Sequence, residues 1–158
     1  MEFIKESILS DSEKLQIFSL WNTEYPEQLA YNTVIELNNY LNSLKAPSHI
    51  LILDTNKNIK GWYVDFIREQ TKWFVILLDS TIQGRGLGTQ IINMAKDKET
   101  ELCGWVIDHN NDYKRNGTLY KSPLSFYLKN GFNICRDAKL QSDKISAVKV
   151  QWKSKYQI

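Results

Sequence analysis

Cysteine, proline and glycine are all scarce: 158 residues hold 2 Cys, 3 Pro and 7 Gly. Cys103 and Cys135 lie far apart with no Cys-x-x-Cys and no histidine at ligand spacing, which excludes a zinc ribbon and a disulfide framework. Both are expected to be buried thiols, with no metal site. Few prolines and glycines also exclude low-complexity linkers. Charge of one sign is missing too, since 20 basic residues face 18 acidic ones for a net +2. That balance lacks the electrostatic footprint of a nucleic-acid binder. No stretch approaches the ~20 apolar residues of a membrane helix. The first twenty residues, which include Glu2, Lys5, Glu6, Asp11, Glu13 and Lys14, interrupt any secretory leader. The expectation is a cytoplasmic protein with no membrane and no nucleic-acid partner. A chain of this size hides about 70% of its unfolded surface, so a single domain over 1–158 is feasible without staples.

What is present is an alternation of strand and helix patterns. Residues 2–9 read as a strand. Ser10-Asp11-Ser12-Glu13 starts a helix striped by Leu15, Ile17, Phe18, Leu20 and Trp21. Pro26 opens a second helix expected to run to about Leu44, with Leu29, Val34, Leu37 and Leu41 at helical spacing. Ile50-Leu51-Ile52-Leu53, residues 61–67 and residues 72–79 read as a three-stranded meander. The last of these is almost continuously apolar, the pattern of a central strand covered on both faces. A glycine-rich loop and a helix through Ile91, Ile92, Met94 and Ala95 follow. The remainder reads as a strand over 102–109, a polar loop over 110–117, a short helix capped by Ser122-Pro123 and closed by Asn130-Gly131, and strands at 132–136 and 145–152. The sum is an α/β (α+β) pattern of about seven strands and about four helices.

The loop Gln83-Gly84-Arg85-Gly86-Leu87-Gly88-Thr89 carries the most specific chemistry. Glycines at alternate positions between a strand and a helix let backbone N–H groups close around an anion such as a pyrophosphate. Walker A chemistry is excluded because no lysine separates Gly88 from Thr89, and the dinucleotide pattern G-x-G-x-x-G is not met. On the glycines alone, a tight turn with no ligand stays open.

Gln83-Gly84-Arg85-Gly86-Leu87-Gly88 resembles the Arg/Gln-x-x-Gly-x-Gly/Ala signature of the GNAT superfamily of N-acetyltransferases. Phe126-Tyr127-Leu128-Lys129-Asn130-Gly131-Phe132 resembles that family's second motif, and the element order from residue 2 to 152 is similar. The resemblance implies a mixed, mainly antiparallel sheet with a splayed strand pair at the cofactor site. It implies acetyl-CoA as cosubstrate, with its pyrophosphate on the amides of Gly84 to Thr89 and its pantetheine arm along Ile76, Leu77 and Leu78. The N–H of Leu78 would then face the thioester carbonyl and stabilise charge developing there.

The same resemblance makes Tyr127 the proton donor to the departing thiolate, a plausible transfer from a phenol of pKa about 10 to a thiolate whose acid has pKa about 8.5. Ser122 and Ser125 are expected within reach of the cofactor, and Arg85 and Lys129 near phosphate charge. Asp108, at a strand end, is the candidate base for the attacking amine, with Asp65 and Glu24 as weaker alternatives and His109 as a relay. The implied activity is transfer of an acetyl group to a primary amine of a small molecule or peptide by direct attack in a ternary complex. The alternative is a non-catalytic acyl-CoA-binding or sensor protein; a monomer or homodimer is expected. Two features depart from the pattern. The segment 110–117 is several residues longer than usual and is expected to cover the acceptor site, and Tyr120 stands where the family often has asparagine. Glu24, Tyr25, Tyr31 and Glu36 are candidates to line a cationic acceptor site.

Overall fold

In the computed structural model, which describes residues 1–155, the chain runs β1 (Glu2–Glu6), α1 (Asp11–Glu24), α2 (Val34–Ser43), β2 (Lys45–Leu53), β3 (Ile59–Arg68), β4 (Thr71–Leu78), α3 (Leu87–Lys98), β5 (Glu101–Ile107), α4 (Leu124–Lys129), β6 (Asn133–Gln141) and β7 (Ser146–Lys153). Short 3-10 turns occupy Glu27–Leu29 and Ser80–Ile82. Among the described residues the strands form one seven-stranded sheet in the order β1-β2-β3-β4-β5-β7-β6. Every neighbouring pair is antiparallel except β4 and β5. No helix among the described residues is long and apolar enough to cross a membrane.

Strand alternation divides the core between the two faces. Leu51 and Leu53 of β2, Trp62, Val64 and Phe66 of β3, and Trp73 and Leu77 of β4 pack with Ile17, Leu20 and Trp21 of α1 and Leu37 and Leu41 of α2. On the other face, Ile50, Ile52, Tyr63 and Phe74 pack with Ile91, Ile92 and Ala95 of α3 and Tyr127 of α4. Each fully buried aliphatic side chain contributes about 1.5–3 kcal/mol.

Local signals set the helix starts. Ser10 caps α1 by accepting from Glu13 N–H at 3.1 Å, while Glu13 Oε1 accepts from Ser10 N–H at 2.7 Å. Thr33 caps α2 through Glu36 N–H. The second helix is therefore shorter than expected, and its physical reason lies in α1. Trp21 Nε1 donates to Leu29 C=O, and the Asn22 amide both donates to Tyr31 C=O and accepts from Tyr31 N–H, each at 2.9 Å. Those bonds leave Leu29 in a short 3-10 turn and hold Ala30 and Tyr31 in extended or irregular chain ahead of α2.

Two further expectations are corrected. Cys103 is buried, but Cys135 is half-buried because β6 is an edge strand. Pro123, not Ser122, is the N-cap of α4; the Ser122 hydroxyl instead accepts from Leu124 N–H and donates to Ile107 C=O. Strand β4 is covered on both faces as expected, Trp73, Val75 and Leu77 on the side of α1 and α2 and Phe74, Ile76 and Leu78 on the side of α3 and α4, with Val75, Ile76 and Leu78 half-buried. Trp73 and Cys103 form the one register pair between β4 and β5. Beyond it the two strands diverge.

Candidate active site

The divergence leaves main-chain groups of β4 without a strand partner. Asp79 N–H donates to Lys60 C=O at 2.8 Å on the β3 side. By alternation the main chain of Leu77 also faces β3, whereas that of Ile76 and Leu78 faces the gap. Leu77 therefore does not share the gap with its neighbours, and its side chain lies in the core on the α1–α2 face. Ile76 and Leu78 pack on the α3–α4 side. The C=O of Leu78 accepts from Gln83 Nε2 at 2.9 Å, which turns the first residue of the glycine motif back onto the strand end. By the same alternation the N–H of Leu78 points into the gap.

The glycine loop lies directly after this strand end. Gly84 and Gly86 both take φ of 78°, and a Cβ on either would meet nothing within 4 Å. They are needed for their left-handed backbone and leave open space above it. Gly86 is the N-cap of α3 and, having no side chain, leaves the first-turn amides uncapped. Gly88 is required for a different reason: a Cβ there would lie 3.0 Å from Phe126 Cζ and 3.4 Å from Leu78 Cδ1. It lets α3 dock against α4 and the strand end. Arg85 is exposed at the loop tip and Leu87 and Thr89 are half-buried. The uncapped amides with the positive end of the α3 dipole form a concavity suited to an anion.

Tyr127 is buried beside Phe74, Phe126 and Phe132, at ring-centroid distances of 5.8, 5.1 and 5.5 Å. Its hydroxyl makes no hydrogen bond among the described residues. Burial, and secondarily Tyr120, pushes its pKa well above the ordinary phenol value assumed from sequence. Burial thus favours the protonated phenol, which keeps a proton to donate. Tyr120 is pushed up to about 12, again by burial first and by Asp112 second, and its ring centroid lies 6.4 Å from that of Tyr25. These phenols make the wall around Tyr127 dry.

Asp108, half-buried just after β5, has no hydrogen-bond or ion-pair partner among the described residues. Ser122 N–H donates to Asn110 Oδ1 at 2.7 Å and its hydroxyl ties α4 to Ile107 at the end of β5, so this serine is already engaged in the fold. Ser125 and Lys129 are exposed on α4. His109 Nδ1 accepts from Asn111 N–H, and its Nε2 lies 3.8 Å from Asp112. Asp65 is at the other end of the sheet, fully buried, where it accepts from Tyr63 Oη at 2.9 Å and pairs with Lys72 and Lys98. It anchors the far end of α3 and has no part in the gap. Glu36 accepts from Asn32 N–H at the start of α2.

The long segment after β5 folds into a hairpin against α1. Tyr113 bridges to Leu119 and Lys114 to Pro26. Glu27 N–H donates to Tyr113 C=O at 2.9 Å. Glu24, 4% exposed, accepts from Ser80 N–H on one oxygen and from Lys114 Nζ on the other, each at 2.9 Å. Partial burial would raise the Asp79 carboxyl, but the Thr81 hydroxyl and N–H, with Lys60 and Lys114, hold it below its ordinary value. Lys114 went unnoticed in the sequence, where only the length of its segment drew attention.

No protein-family model matches the chain, and no curated protein matches it in sequence. Solved structures do. A GNAT superfamily phosphinothricin acetyltransferase from Sinorhizobium meliloti in complex with AcCoA is 12% identical with a TM-score of 0.65, over 98% of this chain and 89% of that one. The chain has the GNAT fold. An aminoglycoside 6'-N-acetyltransferase complexed with coenzyme A shares the arrangement at 15% identity and a TM-score of 0.69, over 97% of each chain. A spermidine/spermine N-acetyltransferase from Vibrio cholerae does so at 18% identity and a TM-score of 0.63, over 96% of this chain and 92% of that one. This version of the GNAT fold places the open strand end, the glycine loop, Tyr127 and the Glu24–Lys114 pair around one end of the sheet.

Proposed function

We propose that the protein is an acetyl-CoA-dependent N-acetyltransferase that acetylates a primary amine by direct attack in a ternary complex. The observation that carries this reading is the edge of β4 at Ile76 and Leu78, whose main chain faces no neighbouring strand, running straight into an uncapped helix N-terminus. An extended amide-bearing arm ending in a pyrophosphate fits both parts of that surface. The fit is specific at two points: the open space above Gly84 and Gly86 admits phosphate oxygens, and the free first-turn amides of α3 supply donors. Solved proteins of the same fold hold coenzyme A or AcCoA.

Bound acetyl-CoA supplies the thioester carbon that the amine attacks. In this reading Ile76 and Leu78 pair with the pantetheine arm, while the amides from Gly84 to Thr89 hold the pyrophosphate and Arg85 closes over it. Leu78 N–H donates to the thioester oxygen as negative charge develops, the position from which a fixed donor stabilises most. Asp108 takes the proton of the attacking amine, directly or through water. Tyr127 protonates the departing thiolate. Its raised pKa suits the dry wall around it, because a thiolate formed there is desolvated and correspondingly more basic. Gln83 fixes the carbonyl beside the Leu78 donor, and Ser125 faces the cofactor from α4.

Thermal stability with acetyl-CoA, ATP and NAD at equal concentration tests the reading. A ligand at 100 times its dissociation constant stabilises the fold by about 2.7 kcal/mol. Stabilisation by acetyl-CoA with amine-dependent release of CoA is the expected result. Stabilisation without amine-dependent release would favour the non-catalytic acyl-CoA-binding alternative, and no stabilisation by any of the three would reduce the loop to a turn.

A further inference from the structure

Glu24 is a buried carboxylate whose partner comes from a surface hairpin. One oxygen is fixed by Ser80 N–H, just beyond the open strand end, and the other holds the primary ammonium of Lys114. The Lys114 side chain is 17% exposed, so its place on Glu24 can be reached from outside. Lys114 sits at the start of the hairpin turn: its N–H donates to Thr118 C=O and its C=O accepts from Gly117 N–H, and Gly117 has φ of 86°. The residues beyond it, from Arg115 to Leu119, are exposed. The hairpin is thus a separate piece of chain whose lysine occupies a carboxylate belonging to the body of the protein.

We propose that Glu24 is the carboxylate that receives a second ammonium of the acceptor, distinct from the amine that is acetylated, and that Lys114 keeps this place until the acceptor arrives. The inference rests on the acetyltransferase reading and names its acceptor class, an alkylammonium. Lys114 is itself a primary ammonium on a four-carbon alkyl chain, and its seat shows what the site accommodates. Exchange of one alkylammonium for another leaves Glu24 paired throughout. A neutral or anionic molecule displacing Lys114 would strand a buried charge, which is strongly unfavourable. Asp79, beside Ser80 and within the field of Lys114, disfavours an acceptor with a carboxylate at the same point. Displaced from Glu24, Lys114 swings outward with the exposed hairpin into water.

The probe is 1,4-diaminobutane, with 4-aminobutanoate as a control of equal length bearing a carboxylate. Binding is read as stabilisation of the full chain without acetyl-CoA, and turnover as release of CoA. The diamine is expected to stabilise the wild type, and Glu24→Gln to weaken its binding and raise KM by at least about tenfold, the value of one charge-assisted hydrogen bond. Lys114→Gln removes the internal competitor and lowers KM several-fold, as expected when a competing closed state is abolished. The double variant should lose that gain, an outcome that loosening of the hairpin alone would not produce. An unchanged KM in Glu24→Gln, a raised KM in Lys114→Gln, or turnover of 4-aminobutanoate in preference to the diamine would overturn the proposal. In each of those cases amine-dependent release of CoA would persist, whereas failure of the acetyltransferase reading abolishes that release.

Discussion

Replacing His49 by glutamine isolates one source of acid sensitivity. His49 is 3% exposed on β2, and its Nδ1 accepts from Trp62 Nε1 at 3.0 Å. An acceptor at Nδ1 is incompatible with the imidazolium, which has donors on both nitrogens. Burial lowers its pKa from 6.5 to about 4, against smaller opposing effects of Asp65 and Glu13. Above pH 6.5 the ring is neutral whether the chain is folded or not, so stability is complete. As pH falls below that value the unfolded chain takes up a proton that the folded chain refuses, and stability declines until about pH 4. Each pH unit in that window removes at most about 1.4 kcal/mol. The whole window removes about 3.4 kcal/mol as a ceiling, or about 2 kcal/mol after allowing for solvent screening. Glutamine retains an acceptor oxygen for Trp62 and cannot be protonated in this range. Urea unfolding of both proteins at several pH values between 7.5 and 4.5 yields a difference curve free of the carboxylates they share. That curve is expected to slope between pH 6.5 and 4.5, and a flat curve would refute the assignment.

Gly86→Ala is expected to cost about 1–2 kcal/mol from left-handed strain alone, with a larger proportional loss of acetyl-CoA affinity because its methyl enters the space above the loop; equal stabilisation by acetyl-CoA in variant and wild type would contradict the cradle. Gly88→Ala pushes on the Phe126 ring and is expected to destabilise by about 1–3 kcal/mol, measured by urea unfolding, and a neutral result would mean the ring yields freely. Tyr127→Phe removes a hydroxyl without a protein partner, so stability and acetyl-CoA binding should hold while kcat falls about 10²–10⁴-fold. An unchanged kcat would assign thiolate protonation to another group.

Features written in short stretches of chain were legible. Ser10 and Glu13 announced the start of α1, and the alternate glycines announced the turn into α3. The motif around Tyr127 placed a short helix where one exists. Other features depend on partners distant in sequence. Asn22 and Trp21 reach forward to seize residues 29–31 and shorten the second helix, an event no helical periodicity contains. The apolar run of β4 has the same composition whether its main-chain edge meets a strand or an open gap. Lys114 and Glu24 are 90 residues apart in the chain, so neither charge marks the other. At the strand end, the alternation of N–H groups that separates Leu77 from Ile76 and Leu78 follows from register, and register is a tertiary fact.

The sheet's order has a mechanical corollary. Strands β1 to β4 and strands β5, β7 and β6 are two antiparallel blocks, and one register pair joins them. Their coupling falls largely to side-chain packing, including Trp73 against Trp105, Phe74 against Phe132 and Tyr127, and the shared core of Ile50 and Ile52 with Leu102, Val106 and Val150. A main chain ladder resists sliding through directional bonds, whereas ring contacts tolerate small rotations. The seam is therefore the compliant line of the molecule, along which the blocks can tilt relative to each other. An extended ligand bonding to Ile76 and Leu78 would occupy this line like a splint, and its departure would return the seam to one register pair and side-chain packing.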